Sequence, residues 1–333
     1  MSGDPVVEIN AKDVGLEKIA SGKVREIFKV DDETLLFVAT DRISAYDVVL
    51  ENVSATDTCQ GSNSHLPTHD SSKNYHILNP SKGISGKGAL LTQLSAHWFD
   101  LIKTNIPSLQ LHLISLSLPP NIPPQTQPLL AKRSMQVRRH PILPIESIVR
   151  GYITGSAWAE YRVSGTVNGM RMPAGLRESQ KLETAIWTPS TKAEAGAHDE
   201  NISKERAGEI LGEEVAGRVE GMSLRLYEMA RDYAEKRGIL IADTKFEFGL
   251  DKQTNELVLV DEVLTPDSSR FWSAESYVVG QSQQSYDKQY LRDWLTSTGH
   301  KGKEGVRLPE EIARRTAEKY TEAYEKLTGK TWR

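Results

Sequence analysis

Two apolar runs around one polar turn constrain this chain most. "GILIADTKFEFG" (238–249) and "ELVLVDEVL" (256–264) flank "LDKQTN" (250–255). Branched and aromatic residues bounded by turn formers predict two antiparallel strands. Side chains in a strand alternate faces. Asp243, Lys245 and Glu247 therefore share one face, while Thr244, Phe246 and Phe248 enter the core from the other. A symmetric turn sets Asp261 and Glu262 across from Asp243 and Thr244, to within about two residues of register. Carboxylates gathered this way repel, and persist only with a cation or a proton among them. Oxygen donors without His or Cys suit Mg²⁺, which keeps waters and binds phosphates. The competing reading is a solvated edge strand, where Lys and Glu discourage aggregation. Asp267-Ser268-Ser269-Arg270 follows at once. Free backbone N–H groups, two hydroxyls and a guanidinium make a phosphate cradle; the alternative is an ordinary Pro-Asp-Ser turn with an N-cap.

A chain of 333 residues makes one large domain or two modest ones. Its net charge of −4 lacks the basic footprint of nucleic-acid binding. Cys59 stands alone, which excludes an intrachain disulfide and a cysteine-based zinc site. "MSGDPVVEIN" has no charged region followed by an apolar run, so no signal peptide is expected. No apolar stretch reaches membrane-spanning length. The triplets Asn52-Val-Ser54 and Asn201-Ile-Ser203 then read as chance, and the expectation is a soluble cytoplasmic protein.

"KVREIFKVDDETLLFVATD" (23–41) reads as a hairpin turning at Asp31-Asp32, the start of a β-rich lobe. Leu91, Leu94, Trp98, Leu101 and Ile102 form one face of a helix over 89–105. Between them, residues 53–88 are rich in Ser, Thr, Asn, His and Gly and show no period. They read as a disordered surface insertion, since the spacing of His65, His69 and His76 fits no metal-ligand pattern. Residues 117–128 are a proline-rich connector, and 134–155 read as strand, turn and strand. Residues 203–238 read as two helices, with Ser203 an N-cap and Gly238 a stop. Residues 309–328 are an amphipathic helix with Ile312, Tyr320, Tyr324 and Leu327 inward. No internal repeat and no regular βαβ alternation appear, which favours α+β.

Other segments could meet an anion. Gly22-Lys23 opens a strand with Arg25 two residues on. It is no Walker A loop, although a glycine turn with a lysine can cover nucleotide phosphates; a plain hairpin turn is the alternative. "VRGYITGSAW" (149–158) brings Arg150, two glycines and Ser156 together, either around a ligand or in a tight turn with a structural ion pair. "TPSTKAEAGAHDENI" (188–202) carries Lys192, His198, Asp199, Glu200 and Asn201 on a surface loop or a binding loop. "TDRISAYD" (40–47) ends an apolar strand with Asp41, Arg42, Ser44 and Asp47, for which an Asp–Arg pair at a strand end is the plain account. GxSxG, HExxH, GxGxxG and CxxC are all absent, which removes simple hydrolase, zincin, dinucleotide and thiol-redox readings.

Taken in order, "SGKVREIF", "LLFVATDRISAYDVVLEN", "IVRGYITGSAWAEY", "TPSTKAEAGAHDENIS", "GILIADTKFEFG", "LVDEVLTPDSSRFW" and "SYDKQYLRDWL" resemble the SAICAR synthetases of purine biosynthesis, in their fungal form. The resemblance covers most of the chain outside 53–88. It implies an ATP-dependent carbon–nitrogen ligase joining L-aspartate to carboxyaminoimidazole ribotide, by way of an acyl phosphate. It implies Mg²⁺ on Glu247 and Asp261, with Lys245 facing ATP or the acyl phosphate. Gly22, Lys23 and Arg25 are implied to hold nucleotide phosphates, and Arg150, Ser156, Ser269 and Arg270 the ribotide phosphate. Lys192 and Asp199 are implied to be active-site loop residues, and Asp243 to hold the imidazole amine. The implied fold is α+β in two lobes: a β-rich one over 1–140 resembling kinases and ATP-grasp enzymes, and a larger α/β one over 141–333. The small molecules ATP, carboxyaminoimidazole ribotide and L-aspartate are the expected partners of a monomer, with no nucleic acid and no membrane. A hydroxyl-directed phosphotransferase and a nucleotide-binding member without turnover are the alternatives.

Overall fold

The computed structural model describes residues 5–46, 48–52, 83–192, 199–286 and 288–333, with the backbone alone at 51 and 52. The expectations for 53–82, including His65, His69 and His76, and those for Asp47 and His198 lie outside the described residues.

The Ile239–Leu250 strand organises the larger sheet. Its neighbours are Ile145–Tyr152 on one side and, on the other, Leu257–Val260 at one end and Ser269–Ser273 at the other. Lys181–Trp187 and Ser190–Thr191 extend the sheet beyond Ile145–Tyr152, and Gln110–Leu111 joins Leu257–Val260 in parallel. A second, antiparallel sheet runs in the order Glu17–Ser21, Arg25–Lys29, Thr34–Ala39, Ser134–Arg138, Leu113–Ser115. Helices Lys87–Asn105, Glu213–Glu235 and Glu310–Thr328 pack around these sheets. Mainly antiparallel strands beside separate helices make the fold α+β.

Local expectations recur in the structure. Phe246 and Phe248 are buried in the main core with Trp98, Phe99 and Tyr227. The Ser203 hydroxyl accepts the Arg206 N–H and caps the Lys204–Leu211 helix. Pro309 precedes the last helix, whose Tyr320, Tyr324 and Leu327 are buried. The Gly155–Ser164 helix stands where only a glycine turn was expected.

The hairpin register is offset by two residues from the symmetric expectation, at the limit of the allowance made for it. Glu247 pairs with Val260 and Leu250 with Leu257, so the ladder ends before Asp261. The partners of Asp243 are instead Arg150 and Arg270. The reason is the turn: the Asp251 N–H donates to Glu256 O and the Asn255 N–H to Asp251 O, with Asn255 left-handed at φ 57. Leu250 thereby joins the first strand and Glu256 joins the turn, which slides the acids along the strand.

Asp41 joins the parts. Its buried carboxylate accepts N–H groups from Val6 (2.8 Å), Gly86 (3.2 Å) and Gly88 (2.9 Å). It pairs with Arg133 at 3.0 Å, not with its neighbour Arg42. A distant carboxylate thus occupies the positive end of the Lys87–Asn105 helix, where N–H groups lack helical partners. Gly88 lies so close to Ala39 O that a Cβ would collide with it. Ile84 is buried in a second apolar cluster. Residues 83–88, at the end of the expected insertion, are therefore packed into the fold. Replacing Asp41 by Ala strands Arg133 and the helix end, and should destabilise by about 3–5 kcal/mol in urea unfolding.

Candidate active site

Two cavities meet at the charged face of the long strand. The larger, about 630 Å³, is lined by Gly22, Lys23, Arg25, Lys192, Lys245, Glu247, Asp261 and Glu262 among polar groups, and by Ile27, Leu35, Phe37, Val137 and Val260 among apolar ones. The smaller, about 260 Å³, is lined by Glu146, Arg150, Ser156, Asp199, Asp243, Ser269, Arg270 and Arg292. Lys245 and Asp267 line both. All residues singled out as candidate ligands of ATP, ribotide and metal therefore face one of two adjoining spaces. The larger has the volume of a cofactor pocket.

An apolar end and a cationic end divide the larger cavity. The turn at Gly22 closes when its N–H donates to Arg25 O at 2.8 Å. Arg42 holds that turn from behind, donating to Gly22 O (2.7 Å) and Lys23 O (2.9 Å) while pairing with Glu26 at 2.6 Å. Arg25 pairs with Asp261 and, at 3.4 Å, with Glu262. Asp261 is left-handed at φ 63, a conformation costly for a residue with a Cβ and tolerated best by Asn and Asp. His112 lines this cavity too. Burial, then the nearby Arg25 and His140, push its pKa down to about 3, so the ring is neutral.

Strand pairing sets the charges in opposition. Lys245 donates to Glu146 and, at 3.2 Å, to Glu247; Lys192 also donates to Glu247. Burial alone would lower the Lys245 pKa, but Glu247 and Glu146 outweigh it and hold the ammonium well above its ordinary value. Burial would raise Glu247; Lys245 and Lys192 reverse that and keep it below the usual carboxylate range. Glu146 stays raised, because burial exceeds the attraction of Lys245.

In the smaller cavity Arg150 donates to Thr188 Oγ1 (3.0 Å), Asp243 (3.2 Å) and Ser156 Oγ (3.2 Å). Arg270 donates to the same Asp243 oxygen. Two guanidiniums thus converge on one carboxylate beside the start of the Gly155–Ser164 helix, a favourable place for an anion. Gly155 is left-handed at φ 57, and a Cβ there would lie 2.6 Å from an Arg270 nitrogen. Its lack of a side chain serves the approach of this arginine. In the cradle motif, Ser269 bonds Thr244 Oγ1 at 2.8 Å, while Ser268 closes the local turn onto Thr265.

Asp267 does not join the anion cradle expected of it. It accepts Lys87 at 2.7 Å, Lys288 at 3.2 Å and the Tyr320 hydroxyl at 2.8 Å. Burial opposes its charge, but Lys288 and Lys87 outweigh burial and hold its carboxyl far below the usual range. Sequence reading missed Lys87, Lys288 and Tyr320, which come from distant segments. It also missed Glu146, although alternation on its strand places Glu146 and Arg150 on one face. Among the described residues, no group of three or more His, Cys, Asp or Glu is arranged to hold a metal. None of the helices there is long and apolar enough to cross a membrane.

Comparison with known proteins decides the family. The SAICAR synthetase family model matches residues 18–57 and 69–309. The chain belongs to the SAICAR synthetase family. Only 58–68 interrupt the match, a shorter stretch than the expected insertion. The phosphoribosylaminoimidazole-succinocarboxamide synthase of Pichia angusta is 53% identical over 325 residues, covering 95% of this chain and 96% of that protein. The Saccharomyces cerevisiae protein of that name is 49% identical over 326 residues, with 95% and 96% covered. A solved SAICAR synthase from Saccharomyces cerevisiae, in complex with SAICAR, superposes at a TM-score of 0.80 with 46% identity, covering 98% of this chain and 99% of that one. A SAICAR synthetase solved with ADP shares the fold at a TM-score of 0.61 and 24% identity, with 94% and 99% covered. This chain is therefore an ATP-dependent ligase of purine biosynthesis, joining L-aspartate to the carboxylate of carboxyaminoimidazole ribotide. Gly155→Ala displaces Arg270 from this ligase's smaller cavity. The expected result is a kcat/KM lowered about tenfold or more, read from initial rates.

Proposed function

We propose that the larger cavity takes ATP and the smaller one the ribotide, so that the γ-phosphate and the ribotide carboxylate meet beside Lys245. Lys245 lines both spaces, and that observation carries the reading. The apolar end of the larger cavity suits a base, and Lys23 and Arg25 suit its phosphates. Arg150, Ser156, Ser269 and Arg270 are assigned to the ribotide phosphate because all four line the smaller cavity; a Saccharomyces cerevisiae relative is solved in complex with SAICAR. Asp243 aligns both arginines through one oxygen, and its other oxygen is assigned to the imidazole amine. The two-lobe division at 140/141 belongs to the same proposal, as do a monomeric state and a cytoplasmic location.

The chemistry runs in two displacements. A ribotide carboxylate oxygen attacks the γ-phosphorus; the new O–P bond forms as the bond to the β-phosphate oxygen breaks, and ADP leaves with the electron pair. The aspartate amine then attacks the acyl carbon, and phosphate leaves with the C–O pair. Lys245, held protonated by Glu146 and Glu247, compensates charge on the oxygens in transit. Lys192 supplies a second ammonium from the loop, and Asp199 accepts the amine proton.

Glu247 and Asp261 suit a magnesium ion. Both are carboxylates lining the larger cavity, and both face positive charge here, Glu247 towards Lys192 and Lys245, Asp261 towards Arg25. Two carboxylates completed by phosphate and water oxygens are the donor set this ion prefers. Bound there, it would withdraw charge from the phosphate oxygens.

Two measurements test the reading. With ¹⁸O in the ribotide carboxylate, one label should appear in released phosphate; unlabelled phosphate would rule out the acyl phosphate. Glu247→Gln and Asp261→Asn should each lower kcat by about 10²-fold or more in protein that still melts cooperatively. Parent rates in both would remove the metal assignment.

A further inference from the structure

We infer that Asn168 is a positioning residue that ties residues 189–192 to 199–202, the two ends of a loop, and so places Lys192 and Asp199 for reaction. The inference rests on the reading of that loop as part of the active site.

Asn168 and Gly169 form the turn between the short strands Thr166–Val167 and Met170–Arg171. Both are left-handed, at φ 49 and φ 77, the pattern for which Asn-Gly is the favoured pair. The turn accounts for the backbone but not for the side chain. A turn asparagine ordinarily points into water, whereas this one is 6% exposed. Its Nδ2 donates to Pro189 O and to Ile202 O, both at 2.9 Å. Because both partners are carbonyl oxygens, the amide can face only this way. Oδ1 is buried with no hydrogen-bond partner among the described residues, an arrangement that is unfavourable in itself.

Those two carbonyls are the two rims of the loop. The Ile202 N–H donates to Pro189 O at 3.0 Å, and the Thr191 N–H to Glu200 O at 2.9 Å. Ser190 and Asn201 form a bridge between them. Asn168 therefore adds one bond to each side of the loop's neck. Within the neck, Lys192 reaches Glu247, and Asp199 and Asn201 line the smaller cavity. The turn is itself anchored: Glu160 accepts the N–H groups of Asn168 (2.9 Å) and Gly169 (3.3 Å) and the Thr166 hydroxyl (2.9 Å). The chain of contacts runs from the Gly155–Ser164 helix, through the turn, to the loop.

Asn168→Gly tests this, since glycine keeps the left-handed turn while removing the buried side chain and its two donations. Turnover is measured per ADP-binding site, so that misfolded protein lowers the site count and not the rate. Expected are kcat per site lowered about tenfold, an ATP KM within about twofold, and faster amide exchange at 189–192 and 199–202. Parent turnover per site would overturn the inference. Lys192→Met and Asp199→Asn run in parallel. If they are slow while Asn168→Gly is not, the inference alone fails; if they turn over like the parent, the loop reading fails with it. Asn168→Ser carries the same comparison if the glycine variant yields no ADP-binding sites.

Discussion

The site depends on one constraint: charged side chains on the inward face of a central strand must be compensated where they stand. Taking ions out of water costs several kcal/mol each. The Ile239–Leu250 strand meets that cost by register. Asp243 lies between Arg150 and Arg270 on its two neighbouring strands. Lys245 lies beside Glu146 and Glu247. The ladder of backbone hydrogen bonds thus fixes cations and carboxylates at strand spacing, and flexible side chains have little to decide. Such pairs are poor stabilisers compared with apolar packing. What they provide is a set of paired charges whose orientation the fold already fixes.

Two further carboxylates join this face to the rest of the molecule. Asp41 ties the end of the Thr34–Ala39 strand to the Lys87–Asn105 helix and to Arg133. Asp267 gathers Lys87 from that helix, Lys288 and Tyr320 between the two cavities. Lys87 begins the helix that Asp41 caps, so the two clusters share an element. Tyr320 belongs to the final helix, beyond residue 309 where the family match ends. The final helix of the chain therefore contacts the junction of the two cavities.

Much of the local structure was legible. Period-two runs marked the long strand and its apolar face, period 3.6 marked the helices over 89–105 and 309–328, and Ser203 marked a cap. These signals are local because they arise from backbone geometry and the burial of one face. The register of the 239–260 hairpin was not legible, since it turns on which residues its loop consumes. Pairing partners were not legible either. Asp41 and Arg42 are adjacent in sequence, and in a strand-end conformation adjacent side chains diverge; each found a partner far along the chain. Glu146 was legible in principle, two strand steps from Arg150, but an isolated acid in an apolar strand carries no distinguishing pattern.

By itself the sequence determined the α+β class, the polar faces, and a set of motifs specific enough to name a family. Those follow from residue type and spacing within about ten positions. The tertiary structure alone decided which charges face each other, that Lys245 and Asp267 stand between two cavities, and that Asn168 reaches the neck of a loop some twenty residues away. Charge pairing acts over a few ångströms of space, and only the folded chain converts distance along the sequence into distance in space.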